Sequence, residues 1–314
     1  MSADREAFDR AVAAHRAELH AHCYRMLGSV HDADDAVQDA LLAAWRGFAG
    51  FTGRGTVRAW LYQIATRACL RVLEQRPRRR LIADEPASDP RAPVAAMHRE
   101  PVWLEPYPDD PAAQLAQREA VELAFVAALQ HLPANQRAAL LVTDVLGFAA
   151  SEAAALLETS VASLNSALQR ARKALADRTP AHSQQAELGA LGDAGQRALV
   201  AAFIAAWQRA DVDGLLALLA RDVKFSMPPI PSWYDGRDAV AAFFAAQVFA
   251  TPWRLIATRA SGQLAFACYQ GPALALGALN VIGLRGGEIV EMTGFLDPAT
   301  HARLGIERIL PGAR

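Results

Sequence analysis

Apolar residues recur at helical spacing along residues 1–80, and this pattern predicts helices. The positions that carry it are Leu19, Cys23, Met26 and Leu27, followed by Ala36, Ala40, Ala43 and Ala44. Gly28 breaks the first of these helices, and Asp32 is the expected N-cap of the next. A longer helix is predicted over residues 57–74, and Pro77 ends it.

Proline dominates residues 81–112, so a long helix is excluded there and we interpret the segment as a linker. The prolines are Pro86, Pro90, Pro93, Pro101, Pro106, Pro108 and Pro111. Trp103, Leu104 and Tyr107 lie among them, although flexible linkers rarely contain such side chains. We therefore expect these apolar groups to dock against another part of the protein.

Residues 113–178 return to helical spacing and end in two helices, at 150–157 and 161–176. Residues 158–160 alone separate the two, which is the spacing of a helix-turn-helix. The second helix is predicted to bury a stripe made of Val161, Leu164, Leu168, Ala171 and Leu175. An αα-hairpin with a solvated polar face is the alternative, and Glu158 stands where such a turn often has glycine.

After a polar connection at 179–192, the pattern of residues 193–314 becomes α+β. Helices are predicted at 194–209, 215–219 and 238–248. Strands are predicted at 223–227, 254–260, 264–269, 274–284 and 289–295, with Pro228, Pro229 and Pro231 interrupting the chain after the first strand.

The composition of the 314 residues is globular, with 53% hydrophobic and 21% charged residues. No apolar stretch has the length of a membrane span, and the N-terminus lacks the build of a signal peptide. Cys23, Cys69 and Cys268 are too far apart for a zinc motif, and their odd number argues against a disulfide framework. We expect a cytoplasmic protein without a metal or other cofactor.

A net charge of −1 hides a strong local separation of charge. An acidic cluster comprises Asp32, Asp34, Asp35 and Asp39. The arginines that follow are Arg46, Arg54, Arg58, Arg67, Arg71, Arg76, Arg78, Arg79 and Arg80. A second basic group consists of Arg170, Arg172, Lys173 and Arg178. The two basic groups indicate a nucleic-acid partner.

Three stretches carry a resemblance to a known family. LHAHCYRMLGSVHDADDAVQDALLAAW (19–45) resembles the core-polymerase-binding region of sigma-70-type factors. FTGRGTVRAWLYQIATRACLRVL (51–73) resembles the −10 recognition region of the extracytoplasmic-function group. LPANQRAALLVTDVLGFAASEAAALLETSVASLNSALQRARKAL (132–175) resembles their −35-reading domain. VWLEPYPDDP and the trailing α+β domain resemble a subgroup with a C-terminal SnoaL-like (nuclear transport factor 2-like) domain.

The resemblance implies a multidomain fold of two all-α sigma domains, the second with a helix-turn-helix, followed by an α+β cone-shaped SnoaL-like domain. The implied domains are sigma region 2 (1–80), a proline-rich linker (81–112), sigma region 4 (113–178), a second linker (179–192) and the SnoaL-like domain (193–314). Such a protein is not an enzyme. It binds the clamp and the flap of core RNA polymerase, and it opens promoter DNA.

The family's polymerase-binding positions correspond here to Asp32, Asp34, Asp35, Gln38 and Asp39. Their acidic character suits a basic clamp surface, since opposite charges favour association. The alternative is an acid cluster that supports the dipole of its own helix, which explains Asp39 less well because it lies a turn further on.

The −10 contacts that the resemblance implies are Arg54, Arg58, Trp60, Tyr62, Arg67 and Arg71. The glycine-rich loop at 49–56 corresponds to the family's base-capturing loop. Trp60 and Tyr62 are candidate platforms on which bases could stack. The alternative for Trp60 is that it is part of the hydrophobic core. The family usually has asparagine in place of Arg67, which leaves the contact at that position open.

The implied −35 contacts are Ser163, Asn165, Ser166, Gln169, Arg170 and Lys173. Arg170 can pair with guanine, and Asn165 or Gln169 can read adenine. Lys173 and Arg172 are expected to hold phosphates, which gives affinity rather than sequence choice.

The SnoaL-like resemblance implies a cone of curved sheet, which here would be lined by aromatic residues. Some relatives are cyclases or isomerases, and Asp211, Asp235 and Asp297 are the candidate acids, although aspartate is common at turns and caps. We favour a regulatory docking domain. The alternatives are an unknown small ligand in this domain, or a catalytic domain fused to a DNA-binding helical module.

Overall fold

The computed structural model describes residues 2–51, 56–75, 86–97, 103–109, 120–176 and 178–310. The chain divides into two compact units. Residues 1–79 and 124–179 form the first unit, and residues 80–123 and 180–314 form the second. The proline-rich segment therefore belongs to the same unit as the C-terminal domain.

The first half of the first unit is helical: α1 (Ser2–Ala13), α2 (Arg16–Leu27), α3 (Val30–Phe48) and α4 (Val57–Gln75). Ser29 is the N-cap of α3, because its Oγ accepts a hydrogen bond from the Asp32 N–H at 3.1 Å. The prediction that Asp32 caps this helix is therefore wrong. Asp32 lies in the first turn of α3, and its side chain is buried.

The second half of the unit contains α5 (Leu123–Gln130), α6 (Ala134–Leu140) with a π-helical turn at Leu141–Val145, α7 (Ala150–Leu156) and α8 (Val161–Ala176). Helices α7 and α8 form the expected helix-turn-helix. The buried stripe of α8 is made of Leu164, Leu168, Ala171 and Leu175. Val161 was expected in this stripe but is 43% exposed, because it is the first residue of the helix.

The second unit begins its helices with α9 (Gln184–Gln208), which Gly192 divides at φ 63° and ψ 171°. The stretch expected as a polar connection is thus already helical from Gln184. The unit also contains α10 (Val212–Leu216), α11 (Arg237–Phe243) with a π-helical turn at Phe244–Val248, and α12 (Pro298–Arg303). Helix α12 was not predicted; Asp297 caps it by accepting from the Thr300 N–H at 2.9 Å.

Among the described residues, six strands form the sheet: β1 (Leu219–Met227), β2 (Ile230–Asp235), β3 (Trp253–Ala260), β4 (Gln263–Gln270), β5 (Ala275–Arg285) and β6 (Glu288–Phe295). Their order is β2-β1-β6-β5-β4-β3, and only the β1–β6 pair among them is parallel. Strand β2 was missed because Pro231 falls inside it. An edge strand tolerates proline, since one side of its backbone needs no ladder partner.

Both faces of the sheet are covered. One face packs an aromatic core that includes Phe203, Trp207, Phe225, Phe244 and Phe266. The opposite face packs a smaller core of Leu123, Ala260, Ala265, Leu279, Val281 and Phe295, with Leu104, Leu304 and Ile306 against it. The second face is therefore covered in part by the segment that precedes α5.

Within the part of the chain that the structure describes, no helix combines the length and the apolar character needed to cross a bilayer.

Candidate nucleic-acid interface

Helix α8 presents the predicted −35 residues on one exposed face. The side chains that share this exposure are Ser163, Asn165, Ser166, Gln169, Arg170 and Lys173. The face is oriented by the buried stripe on the other side of the helix and by Ser160, whose Oγ accepts from the Ser163 N–H at 3.1 Å. Side chains of these types suit a helix that lies in the major groove of DNA. Amides, hydroxyls and arginine can hydrogen-bond to base edges, and cations can contact phosphates.

Arg172 lies beside this face but has a protein partner. Its Nε lies 2.9 Å from Asp144 Oδ2, and its Nη2 lies 2.7 Å from Asp144 Oδ1. This bidentate pair raises the pKa of Arg172, chiefly through the hydrogen bond to Asp144. In this arrangement Arg172 is a structural residue of the helix-turn-helix, which differs from its expected role as a phosphate contact.

The predicted polymerase-binding residues divide into exposed and buried groups. Asp34, Asp35, Gln38 and Asp39 are exposed on α3, whereas Asp32 is 4% exposed. Asp34 Oδ1 lies 3.1 Å from His20 Nε2. Burial lowers the pKa of His20, and the Asp34 carboxylate opposes that shift. Asp32 is therefore the one residue of this set whose side chain a partner cannot reach here.

Two apolar side chains extend the same face of α3. Leu42 is 49% exposed and Trp45 is 42% exposed, and both follow Asp35, Gln38 and Asp39 at helical spacing. Neither Leu42 nor Trp45 was among the predicted polymerase contacts. The spacing of Leu42 from Asp35 and Asp39 could have indicated it. The face thus combines acids with exposed apolar groups, as protein-binding surfaces do.

The predicted −10 residues on α4 have varied surroundings. Arg54 lies outside the described residues, and Arg71 is exposed. Trp60 is half-buried and packs on Phe51, with ring centroids 4.9 Å apart. Arg67 forms an ion pair with Glu158, at the turn between α7 and α8. Trp60, Arg67, Arg71 and Glu158 line one groove.

Tyr62 is fully buried, so a base cannot stack on its ring in this arrangement. Its hydroxyl donates a hydrogen bond to Glu18 Oε2 at 3.2 Å, and its ring meets Phe148 edge to face. Burial raises the pKa of Tyr62, and the negative charge of Glu18 adds to the shift. The interpretation of Tyr62 as an accessible platform does not fit this conformation.

Arg58 is held by residues on both sides. Its Nη1 and Nη2 each lie 3.4 Å from the Leu146 carbonyl oxygen, and its Nε lies 3.4 Å from Glu18 Oε2. The guanidinium carbon lies 4.8 Å from the centroid of the Phe148 ring and 5.1 Å from that of Tyr62. The predicted phosphate contact is thus engaged within the protein.

In the second unit, the proline-rich segment forms backbone bonds with the sheet. Ser88 N–H donates to the Trp233 carbonyl oxygen at 2.8 Å, on the edge strand β2. Tyr107 N–H donates to Ser261 Oγ at 2.9 Å, and the Ser261 N–H donates back to the Tyr107 carbonyl oxygen at 2.7 Å. Trp103 lies between these attachments in sequence and is 5% exposed, while Leu104 packs on the second core.

The interior of the C-terminal sheet is filled by rings. Tyr234 and Phe243 stack at 4.1 Å, and Phe203 and Phe266 stack at 4.3 Å. Asp211 accepts from the Gly214 N–H at 2.8 Å, and this bond lowers the pKa of Asp211. Asp211 and Asp297 are therefore helix caps, and Asp235 is an exposed residue at the end of β2.

His301 is buried, with its Nε2 2.7 Å from the Phe295 carbonyl oxygen. Burial lowers the pKa of His301, so the ring is neutral near pH 7 and acts as a donor to that carbonyl. Asp211, Asp297 and His301 therefore have structural partners, whereas Asp235 is exposed to solvent.

Comparison with known families agrees with the division of the chain into two sigma regions and a C-terminal domain. Residues 11–79 match Sigma-70 region 2, residues 117–175 match Sigma-70 region 4, and residues 200–292 match the SnoaL-like domain. The ECF RNA polymerase sigma factor SigG of Mycobacterium tuberculosis is 40% identical over 305 residues, which cover 93% of this chain and 82% of that protein. The chain belongs to the extracytoplasmic-function (ECF) sigma factors.

Two further relatives of this ECF sigma factor match along most of its length. The probable ECF RNA polymerase sigma factor SigI of M. tuberculosis is 26% identical over 91% of this chain and 92% of that protein. The crystal structure of the M. tuberculosis ECF sigma factor SigJ has a TM-score of 0.62 at 21% identity, covering 94% of this chain and 100% of that chain. The likeness to SigJ shows the fold.

The family assignment confirms the expected function. The protein is an RNA polymerase sigma factor for transcription initiation, with a SnoaL-like domain at its C-terminus. Sigma factors act with RNA polymerase on promoter DNA, and they are transcription regulators rather than enzymes.

Proposed function

We propose that this sigma factor binds the polymerase clamp through α3, contacts the −10 element through α4 and reads the −35 element through α8. We propose further that its SnoaL-like domain modulates promoter-directed transcription by holding the proline-rich linker. The observation that carries the second part is the burial of Trp103, which is 5% exposed in the same unit as that domain.

The α3 surface supports the clamp assignment. Asp35, Gln38 and Asp39 are exposed one turn before Leu42 and Trp45, so a basic partner can gain both charge pairing and apolar burial.

The flap is the proposed partner of region 4. Because bacterial RNA polymerase is in the cytoplasm, we propose that location for the sigma factor.

The α8 surface supports the −35 assignment. Arg170 and Gln169 are adjacent and exposed, and their side chains suit guanine and adenine, respectively. Lys173 is exposed one turn further along and suits a phosphate.

The linker contacts support a regulatory role for the C-terminal domain. Ser88 and Tyr107 form hydrogen bonds with the C-terminal domain through their backbones, so the described parts of the linker are attached to that domain at two points. To modulate transcription, the C-terminal domain must bind one arrangement of the sigma regions more tightly than another. An arrangement in which the linker leaves this domain would lose the linker contacts, and that loss would supply the difference in affinity.

We propose no catalytic step in the C-terminal domain. Asp211 and Asp297 are engaged as helix caps, and the His301 ring is bound to a backbone carbonyl. A small ligand that loosens the stacked rings is the second candidate for what regulates this domain. The buried indole Nε1 of Trp207, which has no hydrogen-bond partner among the described residues, favours it.

In-vitro transcription with purified core polymerase tests the proposal. Trp103→Ala should change promoter-directed transcription and speed proteolysis of the linker. Met97→Ala is the matched control, because Met97 lies in the same linker and is 50% exposed. Equal transcription and equal cleavage in the two variants would show that the domain does not act through the linker.

A further inference from the structure

We propose that Asp144 keeps Arg172 away from DNA phosphates, and so limits the sequence-independent part of DNA binding by α8. This inference deepens the proposed function and rests on it, because α8 must be the helix that meets the −35 element. It gives Asp144, which was not among the predicted DNA contacts, a role in setting how strongly α8 binds any DNA.

The three cations of α8 differ in their surroundings. Arg170, Arg172 and Lys173 are all exposed. Among the residues that the structure describes, Arg172 is the only one of the three with an ion-pair partner. If all three cations contacted phosphates, the helix would gain more affinity for every sequence, because phosphates carry no sequence information directly.

Arg172 lies at a position that suits a contact with DNA. Asn165, Gln169 and Arg172 follow one another at intervals of four and three residues, so they form one row along the surface of the helix. Asn165 and Gln169 are exposed, and their amides suit adenine. Arg172 continues this row, and its side chain is 59% exposed. Its position therefore favours a phosphate contact, and its carboxylate partner opposes one.

Asp144 occupies one edge of the Arg172 guanidinium. Its oxygens accept from Nε at 2.9 Å and from Nη2 at 2.7 Å, which is a bidentate arrangement. A phosphate binds the same edge in the same geometry, so it must displace the carboxylate to use that edge. A phosphate that approaches Nη1 instead also approaches the negative charge of Asp144. Attraction and repulsion then oppose each other, and the net gain from Arg172 is small.

The fold holds both members of the pair in place. Asp144 lies in the π-helical turn that follows α6, and Leu141 and Val142 of the same turn are buried. Arg172 follows Ala171, which belongs to the buried stripe of α8. The backbones that carry the two side chains are thus anchored in the core of the helix-turn-helix, and the pair is formed before DNA binds.

The opposite role for Asp144 would be to orient Arg172 towards a phosphate. The two roles predict opposite effects of removing the carboxylate, since DNA binding would strengthen if Asp144 keeps Arg172 away and weaken if it orients Arg172. Because both side chains are exposed, the pair contributes little to stability, and its loss should change DNA binding more than folding.

The first test replaces the carboxylate by an amide in the full-length chain bound to core polymerase. Asp144→Asn should strengthen binding to duplex DNA and steepen the slope of log affinity against log salt by about 0.9, the value for one further phosphate contact. The gain should be the same on matched and scrambled −35 sequences, because a phosphate contact does not read bases.

Glu152→Gln is the matched control for this test. Glu152 is an exposed acid of α7 whose Oε2 accepts from the Ala149 N–H at 3.2 Å, and glutamine keeps that acceptor while removing one negative charge. An unchanged slope in Asp144→Asn, weaker binding by it, or an equal gain in Glu152→Gln overturns the proposal.

A double-mutant cycle assigns the gain to Arg172. Arg172→Gln alone should leave the salt slope near that of the native chain, because Arg172 contacts no phosphate while Asp144 is present. Arg172→Gln combined with Asp144→Asn should abolish the steepening that Asp144→Asn causes. A slope that is already lower in Arg172→Gln alone would show that Arg172 binds a phosphate beside Asp144, and the proposal would be wrong.

Lys173→Ala separates this inference from the proposed function. The slope should fall in this variant, because Lys173 is the proposed phosphate contact of α8. If Lys173→Ala, Arg170→Ala and Asp144→Asn all leave DNA binding unchanged, α8 does not meet the DNA and both proposals fail. If Lys173→Ala lowers the slope and Asp144→Asn does not raise it, only the role of Asp144 is wrong.

Discussion

Glu122 Oε2 accepts a hydrogen bond from the Gln184 N–H at 2.8 Å, although the two residues are 62 positions apart. Glu122 Oε1 accepts from the Gln185 N–H at 2.9 Å, and Ser183 Oγ accepts from the Ala186 N–H at 3.2 Å. Glu122 and Ser183 together accept hydrogen bonds from backbone N–H groups in the first turn of α9, which have no acceptor within the helix. A carboxylate at this end is also favoured by the helix dipole.

We expect Glu122→Ala to destabilise the second unit by about 1–3 kcal/mol, because the buried donors of α9 lose their acceptor. Hydrogen exchange at the Gln184 and Gln185 amides should accelerate accordingly. Glu288→Ala is the control, since the Glu288 side chain is 57% exposed, and it should leave those amides unchanged. Equal protection in the Glu122 variant would show that the carboxylate is dispensable.

Reversing charge on α3 should weaken polymerase binding. Asp35→Arg with Asp39→Arg places cations where a basic clamp is expected, while solvated positions cost little stability. Co-elution with core polymerase measures the effect. The same charge change at two exposed acids of the second unit, Asp213→Arg with Asp238→Arg, should leave co-elution intact. Co-elution that both double variants retain would disprove the α3 assignment.

Two residues of α8 should lose DNA binding in different ways. Arg170→Ala should cost about 1–3 kcal/mol on a matched −35 sequence and relax the choice at one base. Lys173→Ala should weaken binding to all sequences and reduce its salt dependence, because fewer counterions are released. Binding of the full chain with polymerase to matched and scrambled promoters distinguishes them. If both variants behave alike on both promoters, α8 does not read the sequence.

His22 should make the first unit sensitive to acid. It is fully buried, with Nε2 2.9 Å from Thr66 Oγ1, and burial together with the charge of Arg25 lowers its pKa from 6.5 to about 3. Between these two values the unfolded chain binds a proton that the folded chain does not. The contribution of neutral His22 to the free energy of unfolding is therefore fully present above pH about 6.5. It is lost progressively as the pH decreases towards about 3.

His22→Gln should flatten this dependence, because glutamine does not titrate. Urea unfolding at a series of pH values from neutral to acid measures the slope. His182→Gln removes an exposed histidine and should keep the native slope. A His22→Gln slope as steep as the native one would assign the acid sensitivity to other groups.

Elements whose residues carry a regular pattern could be predicted from the sequence alone. In α8, Leu164, Leu168, Ala171 and Leu175 recur at helical spacing, so both the helix and its polar face followed from local order. Strands β3 to β6 followed from apolar runs bounded by turns. The motifs of the two sigma regions indicated the family in the same way, because each is a contiguous stretch of chain.

The partners that cover those faces could be seen only in the folded chain. Arg67 meets Glu158 across 91 positions and Arg58 meets Leu146 across 88, and no local pattern encodes such pairs. Strand β2 contains a proline that local rules exclude, yet it is allowed because the strand lies at the sheet edge. Periodicity shows which side of an element is apolar. The groups that pack against it, and the polar atoms that become buried with it, depend on the whole chain.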